Sequence, residues 1–283
     1  MHILIIGASG MTGHLITTYL KEKGYTVSTL SGHHPFDEQT VLIDLCDTTT
    51  LKDYLTNHHF DIIINCAGIL IKDCETHPLK AILVNSYFPH YLETLYRYTE
   101  TRIIHLSTDC VFSGTSGPYI ETAPYDGTLF YDRTKALGEL NNAKDLTFRM
   151  SIIGPDKNPH GIGLLNWFLQ QEGTLSGYTH SYWNGITTLE LAKAIEAAIK
   201  QNLSGLYHLV PSEVITKFEL LNLFKHTFNR SNLTIIPTCT PISNKILINT
   251  RTDFNYKVAS YPIMLKELAK WIEKHPNLYS HYM

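Results

Sequence analysis

Three glycines, Gly7, Gly10 and Gly13, follow directly on a short branched apolar run over residues 2–6 and lead into a helix-patterned segment over 11–20. A glycine turn between a first strand and a first helix lets backbone N–H groups and the positive end of the helix approach a pyrophosphate. Ser9, Met11 and Thr12 lie in the same turn and are expected to share that contact. The strand-then-helix rhythm continues, with strands predicted over 25–30, 41–45, 61–65, 102–107 and 146–150. Helical stretches are predicted between or after them over 49–56, 79–98 and 131–141. Such alternation predicts an α/β fold built on a doubly wound parallel sheet.

After Arg149 the pattern changes, because Gly154-Pro155, Asn158-Pro159 and Gly161 interrupt the chain. We expect a cofactor-binding domain over 1–150 and a smaller, mainly substrate-binding lobe over 151–283, with segments near 186–210 returning to the first domain. In that second part helices are predicted over 164–171, 188–201, 218–228 and 262–273, a strand over 206–209, and a loop or short strand over 173–185.

With 23 Lys and Arg against 26 Asp and Glu, the net charge of -3 supplies no positive field for nucleic acid or an anionic membrane. Neither is an expected partner. No apolar stretch approaches the ~18 residues of a membrane span, and no basic leader precedes the first strand, so neither membrane helix nor signal peptide is expected. The five cysteines contain no Cys-x-x-Cys, which suits free thiols in a reducing, cytoplasmic setting. The 15 histidines show no metal-ligand spacing, and no metal site is expected.

Tyr131 and Lys135 form a Tyr-x-x-x-Lys pair, which on a helix places phenol and ammonium on one face a turn apart. A nearby ammonium favours tyrosinate, so Tyr131 is expected to have a lowered pKa and to exchange a proton with a carbonyl or alcohol. At the end of the fifth strand Thr108 is the expected hydroxyl donor, with Ser107 as the alternative, because one residue of register decides which faces the crevice. The second strand ends in Leu30-Ser31-Gly32-His33-His34, without the carboxylate that would grip an adenosine ribose. A 2′-phosphate is therefore not repelled there, and Ser31 or a histidine could donate to it. The missing carboxylate leans the reading to NADPH, and because that loop holds no Arg, NADH stays open.

The glycine spacing, with Asn65-Cys66-Ala67-Gly68 after the fourth strand, resembles the short-chain dehydrogenase/reductase superfamily. The resemblance implies a Rossmann-type sheet, an acidic residue facing adenine at Asp44-Leu45, and cofactor contacts at Cys66, Ala67 and Gly68. Asn85, Tyr131 and Lys135 complete the expected cofactor set, Lys135 holding the nicotinamide ribose. Ser107-Thr108-Asp109-Cys110-Val111-Phe112-Ser113-Gly114, Pro118-Tyr119-Ile120-Glu121 and the run from Tyr131 to Glu139 are similar to the dTDP-4-dehydrorhamnose reductases. That likeness implies NAD(P)H-dependent reduction of the C4 ketone of a nucleotide-linked 4-keto-6-deoxy sugar, in dTDP-rhamnose and polysaccharide biosynthesis. Thr108, Tyr131 and Lys135 would be its catalytic residues. Substrate contacts are expected from Asp109, Cys110, Arg149, Ser151, Trp183 and Asn184, and a homodimer stays open. The chain departs from the family pattern at Cys110, where those reductases carry Tyr, and over 182–188. A 4-epimerase of the same superfamily and a non-catalytic module like the regulatory subunit of methionine adenosyltransferase are the rival readings. Cys110 directly after Asp109 disfavours a dehydratase.

Overall fold

A computed structural model describes residues 1–282. Its centre is a seven-stranded sheet containing β1 (His2–Ile6), β2 (Thr26–Ser31), β3 (Val41–Leu42), β4 (Ile62–Asn65), β5 (Arg102–Thr108) and β6 (Leu146–Met150). Its remaining strand lies later in the chain. Side chains alternate between the faces of a strand, and in β1 both faces are buried. Ile3 and Ile5 pack with Leu15 and Leu20 of α1 (Met11–Glu22), whereas Leu4 and Ile6 pack with Leu51 and Leu55 of α2 (Thr48–Asn57). Burial on both sides explains the unbroken apolar run.

Two expected elements are shorter than the sequence pattern suggests. β3 ends at Leu42 because the Asp44 carboxylate accepts the Cys46 N–H at 3.0 Å, turning the chain out of the ladder. After α3 (Ile71–Thr76), the helix expected over 79–98 divides into α4 (Pro78–Ala81), a π-turn (Ile82–Tyr87) and α5 (Phe88–Leu95). Pro89 has no N–H to offer the Asn85 carbonyl, so the regular ladder lapses there. The gap is used: a Cβ on Gly138, at the end of α6 (Phe130–Leu137), would stand 1.9 Å from that carbonyl oxygen.

The later elements are β7 (Ile152–Ile153), α7 (Leu164–Leu169), β8 (Thr174–Tyr178), β9 (Ser181–Trp183), β10 (Ile186–Thr187) and α8 (Thr188–Gln201). They continue with β11 (Gly205–His208), β12 (Ile215–Thr216), α9 (Lys217–Thr227), β13 (Thr234–Thr238), β14 (Ser243–Asn244) and α10 (Tyr261–Lys274). The order of the main sheet is β11-β6-β5-β4-β1-β2-β3, and every pairing in it is parallel. β11 thus lies beside β6, and α8 packs on α1. Three small sheets, β10-β7, β12-β9-β14 and β13-β8, form the rest. Most of these strands are too short to leave an alternation in the sequence.

Candidate active site

The glycine turn is held by two different constraints. Gly7 has a φ of +80°, and a Cβ there would meet the Ala67 nitrogen at 2.8 Å; a Cβ on Gly13 would stand 2.2 Å from the Gly7 oxygen. Both glycines are required by the packing of β1, α1 and the loop after β4. Gly10 is different. Its added Cβ would meet only the Gly7 oxygen, at an ordinary 3.5 Å, so the protein's own packing leaves the space above Gly10 open. Gly10 begins α1 with no side-chain cap and no acidic residue in the first turn, leaving the N–H groups of this helix end to an anion. These features fit a dinucleotide pyrophosphate. Ser31 takes a different part from the one expected: it is 1 % exposed, and its hydroxyl accepts the Ser9 N–H at 3.2 Å. It shapes the turn instead of facing a ribose. Asn85 is likewise fully buried, accepting from the Ile69 N–H at 2.8 Å and donating to the Thr134 hydroxyl at 3.2 Å. It positions the loop holding Gly68 and therefore does not present a free amide to a cofactor.

At the carboxyl end of β5 the register separates the two hydroxyls. Ser107 points into the interior and donates to Glu139 at 2.5 Å, whereas Thr108 accepts the Cys110 N–H at 3.1 Å beside the phenol of Tyr131. Burial pushes the Tyr131 phenol above its ordinary value, the Cys110 thiol adds to the shift, and Thr108 opposes it. The expected lowering by Lys135 is absent, because that ammonium is drawn elsewhere: it donates to the Leu106 carbonyl at 2.7 Å. Burial brings Lys135 down to about 8, against the pull of Glu139. His105, which no motif singles out, completes this corner. Asn65 accepts the Ala67 N–H with its oxygen, so its amide donates to His105 Nδ1 at 3.1 Å, and the Lys135 nitrogen stands 3.5 Å from Nε2. Burial, then Lys135, holds His105 neutral.

Next to Thr108 opens a cavity of about 540 Å³ lined by Asp109, Cys110, Ser151, Trp183, Lys217 and Lys245 among others. The Lys217 ammonium lies 4.6 Å from the centre of the Trp183 ring. Burial lowers Lys217 to about 8, with Asp109 opposing, and raises the Cys110 thiol to about 12. A Cβ on Gly185 would strike the Trp183 ring at 2.2 Å, so glycine is needed where the chain turns back over the indole.

A model of the RmlD substrate binding domain matches residues 1–245. The chain belongs to this family. Among relatives of the RmlD family protein, a probable low-salt glycan biosynthesis reductase from Haloferax volcanii is 28 % identical over 229 residues, 76 % of each chain. A dTDP-4-dehydrorhamnose reductase from Salmonella typhimurium is 27 % identical over 250 residues, 84 % of this chain and 82 % of that one. A solved dTDP-4-dehydrorhamnose reductase from Bacillus anthracis in complex with NADP superposes with a TM-score of 0.78 at 19 % identity, covering 96 % and 99 % of the two chains.

Two expected sugar contacts of this RmlD family member lie outside the cavity. Arg149 is fully buried, donating from Nε to Glu139 at 2.9 Å and from a terminal nitrogen to His208 at 2.8 Å. A guanidinium committed to a buried carboxylate has no donor to spare for a ligand across the sheet edge. Asn184 donates to the Leu247 carbonyl at 2.7 Å and accepts its N–H at 3.1 Å, tying two loops together. Successive residues of an extended segment point to opposite sides, so the turn that aims Trp183 at the cavity aims Asn184 away from it. Lys217 and Lys245 are cavity residues that sequence reasoning missed, for neither belongs to a motif.

Proposed function

We propose that the protein is an NADPH-dependent reductase of a nucleotide-linked 4-keto-6-deoxy sugar, of the dTDP-4-dehydrorhamnose reductase type. The reading is carried by one juxtaposition: Thr108 and Tyr131 meet at the carboxyl end of β5, where the next residues, Asp109 and Cys110, line the cavity. It is supported by the reductases to which the chain is similar.

NADPH supplies the hydride. As the carbonyl carbon is reduced, negative charge gathers on its oxygen, and a proton donor must stand beside that oxygen. Tyr131 is the donor. Its raised pKa keeps the phenol protonated through the neutral range, the form a general acid requires. Thr108 gives a second hydrogen bond to the developing alkoxide. Lys135, charged below about pH 8, holds the nicotinamide ribose from the same helix as Tyr131. Asp109, Cys110 and Trp183 line the space for the sugar, and the aromatic wall limits water.

Tyr131→Phe keeps the ring and removes the donor. Its kcat on dTDP-4-dehydrorhamnose is expected to fall on the order of 10²-fold or more, while NADPH affinity is retained. Reduction at the parent rate by this variant overturns the assignment.

A further inference from the structure

We propose that Lys80, together with His33, recognises the adenosine 2′-phosphate of NADPH and sets the preference for NADPH over NADH. The assignment rests on the reductase reading only in requiring a nicotinamide dinucleotide.

In a doubly wound sheet the residues just past the second strand lie against the adenosine ribose. β2 ends at Ser31, whose hydroxyl is occupied by the Ser9 N–H, so the next exposed donors belong to the loop that follows. That loop carries no Lys or Arg of its own. The fold brings one in. Lys80, in α4, reaches to 3.3 Å from His33 Nε2 although the two are 47 residues apart in the chain. The same ammonium lies 3.7 Å from the Asp44 carboxylate, which is 4.0 Å from His33.

The Cys46 N–H, then Lys80 and His33, hold Asp44 below the usual carboxylate range, so Asp44 is ionised at neutral pH. An ionised carboxylate here opposes a phosphate unless a cation stands between them. Lys80 is that cation, and its contact with Asp44 keeps it beside His33 before any ligand arrives. The side chains of Lys80 and His33 are 37 % and 65 % exposed, and a Cβ on Gly32 would meet nothing within 4 Å. A phosphate therefore has both room and donors. A ribose 2′-hydroxyl gains little from an ammonium, whereas a phosphate forms a charge-assisted hydrogen bond with it.

Calorimetric titration of Lys80→Met with NADPH and NADH, and with the fragments 2′,5′-ADP and AMP, tests this. The Kd for NADPH and for 2′,5′-ADP is expected to rise about tenfold or more, while those for NADH and AMP stay within about twofold. Lys80→Arg is expected to restore most of the difference. Equal weakening for both cofactors, or none for NADPH, overturns the assignment. A parent that binds NADH but not NADPH overturns it and leaves a reductase standing; a parent that binds neither overturns the cofactor reading and this assignment with it.

Discussion

At Lys135 burial and chemistry pull in opposite directions. The proposed mechanism needs the ammonium in its charged form, yet burial brings it to about 8. Charge is therefore present below that pH and lost above it, and kcat for ketone reduction is expected to decline as pH rises through about 8. Tyr131, raised above its ordinary value, adds no break in the same range. A pH profile of Lys135→Arg checks the source, since a guanidinium stays charged; a break that persists near pH 8 in this variant assigns it to another group. Stability runs the other way. Between about 8 and the ordinary lysine value of 10.5 the unfolded chain binds the proton that the folded one has lost, so this side chain makes folding more favourable as pH climbs through that window.

At the scale of elements, β5, β6 and β11 are joined at their ends by a buried polar network. Glu139 accepts from Ser107 at 2.5 Å, from Tyr125 at 2.8 Å and from Arg149 through both its oxygens. Glu139→Gln leaves a buried guanidinium without its counter-charge, and the expected cost is about 3–5 kcal/mol, read as a lowered midpoint in urea denaturation. Replacing both partners by apolar residues, Glu139→Leu with Arg149→Met, is expected to recover most of that loss. A double variant no more stable than Glu139→Gln would show that the network's other hydrogen bonds, not the ion pair, carry the effect. The network also accounts for a residue that sequence pattern misdirects. An Arg at the end of a central parallel strand has the position of a ligand contact, and only the approach of Glu139 and His208 shows that it faces inward.

At the scale of the whole molecule, three histidines among the described residues are buried and neutral. Burial brings His14 and His208 to about 4 and holds His105 well below its ordinary value. They lie in different parts of the fold: His14 in α1 donates to the Gly10 carbonyl and accepts from Tyr279 near residue 280, His105 is central in the sheet, and His208 ends β11. Each of them is protonated in the unfolded chain below about 6.5 but resists protonation in the folded one, so stability falls as pH drops from 6.5 towards 4. Thermal denaturation is expected to give a Tm at pH 5 clearly below that at pH 7. Equal values would show that these rings are not held neutral by the fold.

Features confined to a few neighbouring residues were legible without the fold. The glycine turn announces itself because steric exclusion at Gly7 and Gly13 acts between adjacent segments; Tyr131 and Lys135 share a helix face through helical spacing alone; and β1 and β4 carry apolar runs because both their faces are covered. The amphipathic helix over 188–201 was legible for the same reason, its pattern and its caps being local. What depended on separate elements meeting was not. Which of Ser107 and Thr108 turns inward is one residue of register, decided by where Glu139 comes to lie. Trp183 faces the cavity and Asn184 its far side because of a turn closed by Gly185. Lys80 stands beside His33 because a helix after β4 passes the end of β2, and such proximity leaves no mark at either position in the chain.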